Sequence, residues 1–110
     1  MDFIDFLDGN VIVCDANGIV IYMNQKAIAA YAADGGAALI GTNLMDCHNE
    51  RSRQKIREIM ETHRKNVYTI EKRGIRKIIY QTPWMEEGVF KGIVEFSLEI
   101  PAEMPHFVRE

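Results

Sequence analysis

Residues 15–24 read "DANGIVIYMN". An aspartate, then Asn17-Gly18, then a β-rich run that closes on an asparagine is the pattern of a tight turn that launches a strand and stops at a helix cap. The run before it, "NVIVCD" at residues 10–15, is equally rich in Val and Ile, so two strands flank the turn, and Asn17-Gly18 is expected to supply its positive φ angles. Together they make a hairpin. Asn24 then caps a short helix in "QKAIAAYAA", where Ile28 and Tyr31 stand three apart and Gly35-Gly36 ends the run.

Outward from the hairpin, the chain alternates short and long elements. "DFIDFL" at residues 2–7 sets Phe3, Ile4, Phe6 and Leu7 among acids, which predicts a short amphipathic helix over residues 1–9. Asn49 is placed to cap a longer helix with Glu50 in its first turn and His63, Arg64 and Lys65 in its last, the polarity that the helix dipole favours. Its stripe is Ile56, Ile59, Met60 and His63. Three strands follow, "VYTIEKR", "IRKIIYQTPW" and "VFKGIVEFSLEI", with turns at Arg73-Gly74 and Glu86-Glu87-Gly88. On the last, Phe90, Val94, Phe96, Leu98 and Ile100 are expected to point one way, and Lys91, Glu95, Ser97 and Glu99 the other together with Ile93. Pro101 and Pro105 stop it. Five antiparallel strands with helices gathered on one face predict an α+β domain over residues 10–101, followed by a tail, 102–110.

With 110 residues there is one core, and 47% hydrophobic with 26% charged residues is a globular composition without a membrane-spanning run. The acidic N-terminus lacks the basic region of an export signal, so the reading expects the cytoplasm. Ten of the 13 Lys and Arg residues fall between Arg51 and Lys77, but a net charge of -3 makes this a solvated basic face and not a nucleic-acid surface. Cys14 and Cys47 match no metal-ligand spacing and are read as thiols.

In this order, "DANGIVIYMN", "LIGTNLMD" at residues 39–46 and "GVFKGIVEFSLEI" at residues 88–100 resemble the PAS sensor domain, from about Asn10 to Ile100. The first is similar to the family's D-x-x-G-x-[IV]-x-x-x-N hairpin and the second to its L-x-G-x-x-[LM] approach to the longer helix. The resemblance implies a PAS-like five-stranded antiparallel sheet with short helices and one longer helix on one face. It also implies a cavity between them for sensing small molecules, light or redox state, and dimerisation through the outer sheet face and an N-terminal helix. Control of transcription is one output such modules serve.

Specialised members narrow the expectation. In flavin-binding light sensors the G-x-N is followed at once by a cysteine and a glutamine lies on the last strand; here Leu44 and Val94 stand at those positions. Haem-binding members carry a histidine in the middle of the long helix, which here reads "RQKIREI". The reading therefore expects no flavin, haem or metal, and a small apolar or aromatic molecule as the candidate ligand. Its cavity is expected to involve Ile56, Ile59, Met60 and His63 on the helix, with Tyr68, Ile70, Ile78, Tyr80, Thr82, Phe90, Val94 and Phe96 on the sheet, although the same large side chains fit a filled core with no ligand equally well. The polar groups near it are few and uncharged on this reading, which leaves nothing to hold an anion.

A homodimer through Phe3, Phe6 and Leu7, acting on a signalling partner in trans, completes the non-catalytic reading. With Glu99-Ile100-Pro101 in place of the family's junction to a signalling helix, no effector in cis is expected: either the domain works alone through a partner or the chain is a fragment, and its initial Met and proline-punctuated tail lean towards a complete small protein. The alternative is a small enzyme or thiol redox sensor using Cys47, His48 or His63. Against it stands the lack of a carboxylate pair or nucleophile-base constellation.

Overall fold

The structure is a computed structural model that describes residues 2–46 and 49–110. Cys47 and His48, and with them the redox and catalytic reading of that pair, lie outside the described residues. The elements run β1 (Asn10–Asp15), β2 (Val20–Met23), α1 (Gln25–Ala30), three 3₁₀ turns, α2 (Glu50–Thr62), β3 (Asn66–Lys72), β4 (Ile75–Glu86) and β5 (Val89–Ile100). They form one five-stranded sheet in the order β2-β1-β5-β4-β3, and every neighbouring pair is antiparallel. This is the α+β architecture expected from the sequence.

The β1–β2 turn is built by Asp15 more than by Asn17. One carboxylate oxygen of Asp15 accepts from the amides of Asn17 at 2.9 Å and Ile19 at 3.0 Å, and the Gly18 amide donates to the Asp15 carbonyl at 3.0 Å. Gly18 has φ 85°, whereas Asn17 has no positive φ. The aspartate captures two amides at once, so a single left-handed residue completes the turn and the pairing slips between Val13 and Cys14. The two distal hairpins follow the simpler rule, with positive φ at Arg73-Gly74 and at Glu87-Gly88.

The "LIGTNLMD" segment lies along the free edge of β2. The Gly41 amide donates to the Val20 carbonyl at 2.8 Å, the Val20 amide to Thr42 at 2.9 Å, and the Leu44 amide to Gly18 at 2.9 Å. It thereby carries the chain from α1 to the start of α2 while satisfying an exposed strand edge.

Two sequence expectations need correction at the ends of helices. α2 stops at Thr62, because His63 adopts a left-handed conformation (φ 56°) and its amide returns to the Ile59 carbonyl; no basic residue lies in the last turn. The N-terminal segment is one turn, closed by the Phe6 amide on the Asp2 carbonyl at 3.1 Å, and not a helix. Too short to propagate, it is tied down by hydrogen bonds from Tyr22, Asn24 and Gln25 instead. The Gln25 amide donates to the Asp5 carbonyl at 3.0 Å, the Tyr22 hydroxyl donates to the Asp5 carboxylate at 3.1 Å, and Asn24 donates to the Ile4 carbonyl at 3.1 Å. Phe3 and Phe6 are left outward, 62% and 70% exposed.

Candidate functional site

A cavity of about 400 Å³ opens between the sheet and the helical face. Its floor is the central part of the sheet, where Ile12 and Cys14 of β1 face it beside Ile93 and Glu95 of β5 and Gln81 of β4. Val20 and Met23 of β2, with Leu39, Leu44 and Ile56, make an apolar wall, and Tyr31, Asp34 and Thr42 add polar groups from the short helical turns.

The strand register explains this lining. Ile12, Glu95 and Gln81 are direct neighbours across β1, β5 and β4, and Asn66 of β3 continues the row. Since successive side chains on a strand alternate faces, Val94 and Phe96 point away from a cavity that Ile93 and Glu95 line. Their row partners Val13, Thr82, Val11 and Tyr80 share that outer face, as do Ile78 and Leu98. The expected sheet wall of Ile78, Tyr80, Thr82, Val94 and Phe96 therefore lies on the opposite side of the sheet.

On β5 the inversion follows from a β-bulge. Trp84 pairs with Gly92 and Met85 with Phe90, which leaves Lys91 as an extra residue on β5. Phe90 packs on the inner core with Ile56 and Ile59, but past the bulge the alternation restarts on the other foot. Counting in twos from Phe90 lands on the wrong face.

Of the other expected site residues, Ile56 lines the cavity, Ile59 is buried in the core beside it, and Met60 packs partly buried against that core. His63 is exposed, its ring stacked on Phe90 with centroids 4.8 Å apart and planes 4° apart, outside the cavity lining. Tyr68 is half-exposed in the row of Ile79 and Ser97 on the inner face, and Ile70 is exposed further along the same strand.

Polar groups on the floor are wired together. The Gln81 amide donates to a Glu95 carboxylate oxygen at 2.7 Å, and Asn66 donates to the Gln81 carbonyl at 2.9 Å. The chain ends on Glu95, whose carboxylate accepts from the Gln81 amide, and Asn66 in turn donates to the Gln81 carbonyl. Around it the tyrosines resist ionisation. Burial raises the Tyr31 hydroxyl, and the charges of Glu95 and Asp34 add to the effect along with Tyr68; burial and then Glu95 raise Tyr68 in turn. Cys14, 1% exposed, is likewise raised by burial first, with Asp15 and Glu95 adding and a backbone hydrogen bond to Ile93 opposing. Its thiol stays protonated at neutral pH and is a poor nucleophile.

Sequence reasoning missed Asn66, Gln81, Glu95, Tyr31 and Asp34. Polar residues stand at many other places on these strands, Thr69, Lys77, Thr82 and Ser97 among them, so nothing in the sequence singled out Asn66, Gln81 and Glu95. Among the described residues no group of three or more His, Cys, Asp and Glu side chains is placed to hold a metal ion, and no helix is long and apolar enough to cross a membrane.

No protein-family model matches the chain, and no curated protein matches it in sequence. Solved structures do match in fold. A C-terminal domain from Streptococcus mutans aligns with a TM-score of 0.73 at 17% identity, over 88% of this chain and 79% of that one. The Aer2 receptor from Vibrio cholerae, a dual PAS-haem oxygen sensor, aligns at 0.60 and 18% identity over 84% and 95%. The Vibrio cholerae VqmA dimer aligns at 0.68 and 19% identity over 99% of this chain and 55% of VqmA, so the chain spans about half of that protein; VqmA has also been solved bound to DPO. With its sheet order, its Asp15-built β1–β2 turn and its helices packed over one face of the sheet, the chain has the PAS fold.

Proposed function

We propose that this chain is a sensory module that takes a small molecule into the cavity between its sheet and helices and passes occupancy to the outer face of the sheet. One observation carries the reading: a polar row, Asn66, Gln81 and Glu95, lies among Ile12, Cys14 and Ile93 on the face of the sheet that meets the helices, while Val94, Phe96 and Leu98 face out. A domain with nothing to bind would fill its interior with the large residues and leave Asn66, Gln81 and Glu95 to water. Here Glu95 and Gln81 line a cavity within the range of ~300–1,000 Å³ usual for small-molecule sites. That a PAS-fold protein such as VqmA holds a small molecule agrees with it.

Native mass spectrometry of freshly purified protein tests the proposal through the added mass of a retained ligand. Leu39→Trp tests its place. Leu39 projects from a 3₁₀ turn onto the cavity and is partly buried, so an indole there fills the space and costs about 1–3 kcal/mol of stability. A compound that raises the melting temperature of the wild type is expected to leave this variant unmoved. An undiminished shift would put the site elsewhere.

Signalling runs through a second copy on the outer face. Tyr80, Val94, Phe96 and Leu98 form an apolar surface there. The N-terminal segment crosses its margin, since Gly9 runs against the Leu98 side chain, and Phe3 and Phe6 project from that segment. Light scattering is expected to give twice the 12.6 kDa chain mass. The exposed pair lends the monomer little stability, so Phe3→Ser with Phe6→Ser should weaken the dimer without changing the melting of the monomer. A double variant that dimerises as tightly as the wild type would remove these residues from the interface. The same reading has Cys47 as a structural thiol, and it uses neither flavin nor haem.

A further inference from the structure

The chemistry of the floor says what kind of molecule the cavity takes, on the reading that it binds one. We infer that the ligand carries a positively charged nitrogen, as a primary amine or a protonated nitrogen heterocycle, on a compact apolar body, and that Glu95 receives it. The Gln81 amide at 2.7 Å fills one of about four acceptor positions of the Glu95 carboxylate. Among the described residues Gln81 is the side chain that donates to it, and neither Lys, Arg nor His lines the cavity. The second carboxylate on the lining, Asp34, adds charge of the same sign.

Three ligand classes fare differently against this lining. An anion meets two carboxylates and no cation, so it is repelled. A neutral apolar molecule fits the wall of Val20, Met23, Leu39 and Ile56 but displaces water from Glu95 and offers nothing in return, which burial of a carboxylate penalises. A cationic N–H donor satisfies the free positions of Glu95 with a short charge-assisted bond while its body covers the same wall. Tyr31, which also lines the cavity, offers a ring face of the kind that attracts cations. Asn66 and Gln81 act as positioning residues: their chain of hydrogen bonds holds the carboxylate over the floor and stops it turning out to solvent.

The test is a set of isosteres titrated into the full chain: 2-phenylethylamine, 2-phenylethanol and phenylacetate, which share a body and differ in the polar end. Calorimetry or chemical-shift changes read binding. The amine is expected to bind more tightly than the alcohol by roughly ten- to a hundredfold, the worth of a hydrogen bond to a charged group, and the acid not at all. E95Q should bring the amine to the level of the alcohol. The comparison within the wild type stands even if E95Q folds poorly. Alcohol or acid binding as tightly as the amine overturns the inference, as does a folded E95Q with unchanged amine affinity. If the alcohol binds and Leu39→Trp abolishes it while charge makes no difference, the cavity reading survives and this one falls. If no probe binds, this inference falls, and the cavity reading then stands or falls on the retained mass in native mass spectrometry.

Discussion

Asn24→Ala is expected to lower the stability of the domain by at least about 3 kcal/mol, a large share of the ~5–15 kcal/mol typical of a single domain. The side chain is completely buried and uses its full hydrogen-bonding capacity. Its oxygen accepts from the amides of Val11 and Ala27, both at 3.0 Å, and its nitrogen donates to the carbonyls of Gly9 at 2.8 Å and Ile4 at 3.1 Å. One residue thus caps α1, closes the β1–β2 edge and ties the N-terminal turn to the sheet. Truncation leaves four backbone groups without that partner in a place where water enters poorly.

Asn24→Asp makes the test sharper. As a helix cap alone, aspartate is as good as asparagine, and the loss would be a few tenths of a kcal/mol. As a latch it fails, because a carboxylate cannot donate and would confront two carbonyl oxygens. Chemical denaturation should therefore rank the aspartate variant near the alanine variant and far below the wild type. An aspartate variant within about 1 kcal/mol of the wild type would reduce the residue to a cap.

Gly92→Ala carries a comparable effect for a steric reason. Gly92 lies on the central strand opposite Asp15, and a Cβ there would collide with the carbonyl of Cys14 and touch the Asp15 Cα. The obstruction is backbone of a neighbouring central strand, so it cannot swing aside as a side-chain end does. Relief requires prising β1 from β5, and a loss of about 3 kcal/mol or more is expected, the upper part of the overpacking range. Gly74, with φ 80° but open space around it, is the control. Gly74→Asn should cost less than about 1 kcal/mol, since asparagine tolerates the left-handed region. Equal losses at the two positions would mean that conformation, and not contact, decides the effect at Gly92.

The elements themselves were legible because each rests on short-range chemistry. Gly18, Arg73-Gly74 and Glu87-Gly88 mark turns by what their backbones tolerate, Asn24 and Asn49 mark helix starts by what their side chains accept, and period-two runs of Val, Ile and Phe mark strands. With the order of elements, they carried the resemblance to the PAS fold. The N-terminal stripe of Phe3, Phe6 and Leu7 is amphipathic in sequence, but one turn forms where a helix is expected, because six residues are too few to propagate one.

The faces of the sheet were not legible, and the candidate site went with them. Alternation along β5 says that Val94 and Phe96 share a side and that Glu95 lies on the other, but it does not say which side meets the helices. The usual inference, that large apolar residues face inward, gave the wrong answer because this sheet is covered by helices on one face and presents an apolar surface on the other. Only the paired strands reveal the extra residue at Lys91 that puts Phe90 inside and Phe96 outside, and only their register sets Asn66, Gln81 and Glu95 in one row. The sequence by itself determined where the strands, turns and caps are, because those depend on a residue and its near neighbours. The tertiary structure decided which face is the cavity and that a carboxylate stands in it, because a one-residue bulge reverses every side chain beyond it and is defined only against the strand alongside.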